Sequence, residues 1–208
     1  MAFRPEQISK ALAKAGKTYD EVMQTPEIAF DIRIDGVMTR GQVKDNERLN
    51  TSKEQYTKTL TCGKKTDVKR GSYVEIQRNS GDTELSQKGI VITEPNETPI
   101  DKYFTALLFN TEVTRYRYKT KYNEIGDIIG KDIEKQDTIP CFVQKITRSE
   151  RMLDSGIERD SVNELTTLKK WDIKVDDVLQ IGEQKYKVND FNEIDKDVCI
   201  CYMTFYRA

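Results

Sequence analysis

The chain has 208 residues, enough for one large domain or for two of about 100 residues, either able to bury a core without disulfides or metal. Lys and Arg number 34 against 35 Asp and Glu, a net charge of −1, which argues against a protein that binds polyanions over its whole surface and against an acidic tail. Histidine is absent, which excludes Ser-His-Asp and Cys-His nucleophile systems in their usual form, Cys2His2 zinc sites and HExxH metalloproteases.

At the N-terminus Pro5 suits the first turn of a helix, and Ile8, Leu12 and Ala15 make an apolar stripe with Ala11 beside it. Gly16 is the expected stop. Thr18-Tyr19-Asp20-Glu21 has capping-box spacing, so a short second helix is expected to end near Gln24, closed by Thr25-Pro26. Docking of the stripe onto the domain behind it is expected, with a neighbouring subunit as the alternative. From Ile28 the period becomes two: Ile28, Phe30, Ile32 and Ile34 alternate with Ala29, Asp31, Arg33 and Asp35, which predicts a half-buried strand ending in an Asp-Gly turn. Beyond a polar stretch at 39–53, strands are expected at 55–62, 73–77, 89–94, 103–110, 113–122, 138–148, 177–181, 185–190 and 198–206. Ile125, Ile128, Ile129 and Ile133 suggest one short helix within 122–135, broken by glycine. No apolar run reaches the ~18 residues of a membrane helix, and residues 1–5 carry no signal-peptide core, so a soluble chain made in a cytoplasm is expected.

The four cysteines are Cys62, Cys141, Cys199 and Cys201. The last two point to one face of a strand and would offer two thiolates to zinc only if Cys62 and Cys141 converged on them. Small buried hydrophobes in a reducing compartment is the expected reading, and no metal or cofactor is expected. Neither GxxxxGK[ST] nor GxGxxG occurs. Asp176–Asp177 and Asp195 with Asp197 sit in turn-like contexts and are not diagnostic of carboxylate catalysis.

The most informative pattern is a repeat. Residues 60–76, LTCGKKTDVKRGSYVEI, align without a gap to residues 165–181, LTTLKKWDIKVDDVLQI, at an offset of 105. Seven of seventeen positions are identical, among them Leu60/Leu165, Asp67/Asp172, Lys69/Lys174 and Ile76/Ile181. In the flanks, strand 28–34 and polar stretch 39–53 match strand 139–146 and polar stretch 147–163. The chain therefore reads as two tandem copies of one β module. The fold class is mainly β (α+β): an N-terminal helical arm at 1–26, and small barrel or sandwich modules at 27–112 and 113–208. The Lys-Lys-x-Asp element is expected to open a tight turn, its Asp capping backbone donors. The loop 77–88 is long in the first copy and shrinks to Gly182-Glu183-Gln184 in the second, which marks it as an interaction element.

The segment Arg115-Tyr116-Arg117-Tyr118-Lys119-Thr120-Lys121-Tyr122 is the most unusual local stretch. In a strand Arg115, Arg117, Lys119 and Lys121 share one face, and four like charges need a counter-charge. Acidic residues of neighbouring strands, a partner surface or phosphate contacted without sequence reading would each supply it. A second basic cluster holds Lys64, Lys65, Lys69 and Arg70. These eight are the candidate partner- or DNA-facing residues, and no catalytic residue is assigned.

With these residues in view the pattern resembles small virion proteins of tailed bacteriophages: head-tail connectors, stoppers or head-completion proteins of the neck, some of which are small β-barrels. The segments that carry the resemblance are LTCGKKTDVKRGSYVEI with IVITEPNETPIDKYFTALLFN, and TLKKWDIKVDDVLQI with YKVNDFNEIDKDVCICYMTFYRA. They cover most of 55–110 and 160–208. The resemblance implies a structural protein that acts by binding, not an enzyme, assembled in the host cytoplasm into a ring of its own copies within the virion. Its expected neighbours are portal, neck or tail proteins, with non-specific contact to packaged DNA and no membrane. Two copies and a helical arm depart from the single-module pattern. The rivals are a nucleic-acid-binding OB-like module, against which the scattered aromatics count, and a carboxylate-dependent hydrolase, against which the lack of a histidine or nucleophile site counts.

Overall fold

The computed structural model describes residues 5–23, 25, 28–45, 52–79, 82–147, 151, 157–192 and 195–207. The chain divides into two compact units, Met1–Leu108 and Phe109–Ala208.

The first unit opens with helix α1 (Pro5–Val22), one helix where two were expected. A glycine in a helix interior costs only about 1 kcal/mol relative to alanine. Gly16 therefore does not stop a run rich in Ala and Lys, and Thr18 turns its hydroxyl back to the Lys14 carbonyl at 3.1 Å instead of capping a new helix. The helix is held near its C-terminal end, where Met23 is buried and the Tyr19 hydroxyl donates to the Thr61 carbonyl at 3.4 Å, while residues 11–15 are exposed.

Seven strands follow: β1 (Phe30–Ile34), β2 (Val37–Asp45), β3 (Thr57–Gly63), β4 (Tyr73–Ile76), β5 (Gln87–Val91), β6 (Asn96–Glu97) and β7 (Asp101–Leu108). Asp35 and Gly36 both take positive φ, 46° and 88°, the backbone that a two-residue hairpin turn needs to match the strand twist. Strand β2 runs through the stretch expected to be a polar loop. Its side chains are mostly polar and only Gly41 is buried, so the ladders to β1 and β3 define it rather than a hydrophobic pattern. The strands close as β1-β2-β3-β7-β5-β4, with β6 flanking β7. Ile32, Leu60, Val74, Ile76, Phe104 and Ala106 fill the interior. At the β5–β7 seam a Cβ on Gly89 would lie 2.5 Å from the Leu107 carbonyl oxygen. Gly89→Ala is expected to cost about 1–3 kcal/mol by forcing the seam apart, read as a lower denaturant midpoint. An unchanged midpoint would show that β5 can shift without loss.

The second unit contains β8 (Thr111–Tyr122), β9 (Ile128–Lys145), β10 (Asn163–Leu168), β11 (Val178–Ile181), β12 (Gln184–Phe191) and β13 (Val198–Phe205). It closes as β8-β9-β10-β13-β12-β11 around Val113, Ile139, Leu165, Leu179, Val188 and Met203. Leaving β6 aside, both barrels run their first three strands side by side and bring the last three back in reverse order. The protein is mainly β, two closed six-stranded barrels in tandem with an N-terminal helix.

The repeat identified in the sequence is visible atom by atom. Gly71 and Asp176 both take positive φ, 83° and 71°. The amide of Gly71 donates to the Val91 carbonyl at 2.8 Å, and that of Asp176 to Val188 at 2.9 Å. The Ser72 hydroxyl accepts from the Lys69 amide at 3.2 Å, and the Asp177 carboxylate from the Lys174 amide at 2.9 Å. The turn is capped by these two residues, not by Asp67 and Asp172. Only Ser72 and Asp177 follow the turn closely enough for a short side chain to reach back three residues.

Two further expectations change. The strand at 139–146 belongs to β9, which matches β2 in the ring, while β1 matches β8. The constant offset fails upstream of residue 60 because β8 and β9 are much longer than β1 and β2. The helix expected at 122–135 is instead a turn and the first half of β9, since Asn123 and Gly126 supply turn chemistry that overrides the isoleucine spacing. The long loop spans 77–86, anchored by buried Gln77, whose Oε1 accepts from the Asp31 amide at 2.7 Å. Ser80 and Gly81 lie outside the described residues.

Candidate functional site

The basic strand is balanced inside its own unit. Arg115 is only 8% exposed, so it does not share an outward face with the others. Its Nε and Nη2 meet the Asp137 carboxylate at 2.9 and 2.8 Å, and its Nη1 donates to the Trp171 carbonyl at 2.5 Å. Arg117 grips Asp177 with Nε and Nη2 at 2.8 and 2.9 Å and donates to the Asp172 carbonyl at 2.7 Å. The hydrogen bond to Asp177 holds the Arg117 guanidinium above its ordinary pKa. Asp177 is 2% exposed and serves two roles, counter-ion to Arg117 and cap of the repeat turn. Farther out, Lys119 pairs with Glu134 at 3.2 Å and Lys121 with Asp132 at 2.5 Å, both diagonal across β8 and β9.

The more unusual feature lies at the end of these strands. Strand β11 pairs with β8 only at Thr114–Tyr116, and β10 pairs with β9 only at Phe142–Lys145. From Tyr118↔Ile133 to Tyr122↔Ile128, β8 and β9 pair only with each other among the described strands. This is a two-stranded ribbon, marginal in water without lateral support. Near its root the Tyr118 hydroxyl interacts with that of Tyr206, which with partial burial pushes the Tyr118 pKa up to about 12.

At the far end the turn is tightly organised. The Asn123 side-chain oxygen accepts from the amides of Ile125 and Asp127 at 3.0 and 2.7 Å, and the Asn123 amide donates to the Asp127 carbonyl at 2.9 Å. Gly126 supplies the positive φ, 92°. This rigid turn holds Ile125 87% exposed, with Ile128, Ile129 and Tyr122 at 68, 64 and 61% beside it. Glu124 and Asp127 add two exposed carboxylates. The exposed isoleucines on this ordered turn make it a candidate docking element. The isoleucines were visible in the sequence but assigned to a helix. The Asn-Glu-Ile-Gly-Asp run was the signal that placed them on a turn instead.

The first unit carries a recess. Helix α1 and one end of the barrel enclose a groove of about 1000 Å3. Leu12, Met38 and Ile100 supply apolar walls, and Lys17, Arg40, Lys64 and Lys65 supply positive charge; no carboxylate lines it among the described residues. Arg40 is tied to Asp31 at 2.9 Å, whereas Lys17, Lys64 and Lys65 are exposed. Beyond the lining, Glu97 pairs with Lys102 at 2.9 Å, and that pairing, with a contribution from Lys64, lowers its pKa. The cleft in the second unit beside Lys169, which matches Lys64 in the repeat, is smaller, about 360 Å3, and contains Asp172 and Asp195. Of the other candidates, Lys69 gives its amide to the repeat turn and keeps an exposed side chain, and Arg70 is half-buried.

Cys62 is buried in the first barrel, and Cys141 and Cys201 in the second, with Cys199 partly buried beside them. Among the described residues no group of His, Cys, Asp and Glu is placed to hold a metal ion. Burial pushes the Cys62 thiol up to about 12 and raises Cys141, while the hydrogen bond from Cys201, and Lys169 after it, lower Cys199. Thiol reagents are thus expected to modify Cys199 first in the native protein and the other three only on unfolding. Rapid native labelling of Cys62 would contradict the closed first barrel.

No family model and no curated protein matches this chain. A solved structure, the Borreliella burgdorferi PlzA protein in complex with c-di-GMP, is similar at 7% identity over 94% of this chain and 91% of that one, with a TM-score of 0.26. Among the described residues no helix is long and apolar enough to cross a membrane.

Proposed function

We propose that this chain is a structural protein of a tailed-phage virion, a ring-forming component of the neck or tail that acts by binding rather than by chemistry. The observation that carries the reading is the β8–β9 ribbon, whose hydrogen-bonded turn holds Ile125, Ile128 and Ile129 in solvent. A chain that spends an ordered turn on keeping large apolar residues exposed is built to cover them with a partner. The duplicated barrel adds a second support, since it gives a rigid base to the ribbon and the turn-and-strand pattern that the resemblance to neck proteins rests on. Its partners in this reading are copies of itself and the portal, neck or tail proteins next to it. The basic strand contributes stability to the second barrel, its charges being matched by Asp137, Asp177, Glu134 and Asp132.

Deletion of the gene from the phage genome tests the proposal. Filled heads and unjoined tails in the lysate, restored to infectious particles by the gene in trans, are expected. Normal particle yield, with the chain absent from purified particles, would overturn it.

A further inference from the structure

We infer that the partner of the ribbon turn is a second copy of this chain, whose α1–barrel groove in the first unit receives it. The inference rests on the ring-forming reading and names the contact that would build the ring. The two surfaces complement each other in shape and in charge. The turn is convex, narrow and apolar, and it carries Glu124 and Asp127. The groove is concave and has Leu12, Met38 and Ile100 in its walls, with Lys64 and Lys65 exposed at its edge and no carboxylate in its lining among the described residues, Glu97 beyond it being paired with Lys102. Neither surface matches itself: two ribbon turns would oppose like negative charges, and two grooves would oppose like positive charges. A contact between unlike surfaces is heterologous, so every copy offers one donor and one acceptor, and the assembly closes as a ring or continues as a filament.

The cleft of the second unit is a poorer acceptor. It is about a third the size and contains Asp172 and Asp195, which would face Glu124 and Asp127. A contact confined to one turn and one groove is weak alone, and closure, which holds each copy on two sides, is what makes the assembly persist.

The test is a disulfide between two different full-length chains, one carrying Ile125→Cys and the other Ala13→Cys, both with Cys199→Ser to remove the accessible native thiol. Each variant is first shown by its melting curve to be folded. Under mild oxidation the mixture is expected to give a linked dimer that neither chain gives alone. Lys64→Glu with Lys65→Glu on the groove chain is expected to cut the yield about tenfold, and Glu124→Lys on the ribbon chain to restore it. If sedimentation shows assembly but no link forms in the mixture, the inference fails and the ring-forming reading stands. If the chain stays monomeric up to millimolar concentration and no link forms, both fail. A link formed within single chains of the double variant at nanomolar concentration would make the occupant the chain's own turn and overturn the inference. So would vesicle binding, on phosphatidylglycerol and phosphatidylethanolamine, that Ile125→Ser abolishes in the absence of any link.

Discussion

Asp177→Ala is expected to destabilise the second barrel by about 2–4 kcal/mol, somewhat less than the loss of one partner from a fully buried ion pair, because Arg117 is partly exposed and keeps its bond to the Asp172 carbonyl. Asp177 is 2% exposed, binds Arg117 through both carboxylate oxygens, lies 3.9 Å from Arg115 and caps the Lys174 amide. Its counterpart in the repeat, Ser72, makes only the capping bond, so Ser72→Ala should cost about 1 kcal/mol. Lys119→Gln and Lys121→Gln break exposed pairs worth about 0–1 kcal/mol each. The test is the labelling rate of the buried thiols, which follows opening of the barrel that encloses them. A loss of about 2–4 kcal/mol corresponds to a rise of roughly 30- to 700-fold. Cys141 and Cys201 should show it in Asp177→Ala, and Cys62 should not.

Phe104→Ala is the reciprocal experiment. Phe104 is fully enclosed and paired across the ladder with Leu60 in the first barrel. Truncating a buried phenylalanine costs about 3–5 kcal/mol through lost transfer energy and the cavity left behind. The cores of the two barrels share no residue, so Cys62 should become reactive while Cys141 and Cys201 stay protected. Equal acceleration at all three thiols would show that the two units unfold as one.

Much of the architecture was legible in the sequence because the repeat preserves what the fold needs at one place. Val68 and Ile173 cover the barrel, Gly71 and Asp176 take the positive φ, and Val74 and Leu179 enter the core, each 105 positions from its counterpart. Alternation found β1 and β4 for the same reason: one face of each is buried. Where neither face is buried, period carries no information. That is why β2 read as a loop and why the outer half of β9, with its isoleucines in solvent, read as a helix. The basic row was visible as residues, but its counter-charges were not: Asp137, Asp172 and Asp177 reach it only through strand pairing and loop closure, which local pattern does not encode. The groove was illegible for a similar reason, being assembled from α1, β2 and the loop after β3.

The two barrels share a topology and differ in decoration. The first carries a helix and a basic recess, and the second a long ribbon beside paired arginines and carboxylates. A duplicated module whose two copies bear unlike and complementary features is suited to head-to-tail assembly.

Electron cryomicroscopy of the purified phage particle tests the account most directly. The account predicts a closed ring of this chain at the head-tail junction or along the tail, with each β8–β9 ribbon seated against a neighbouring copy. Neck and tail density accounted for entirely by other chains would contradict it.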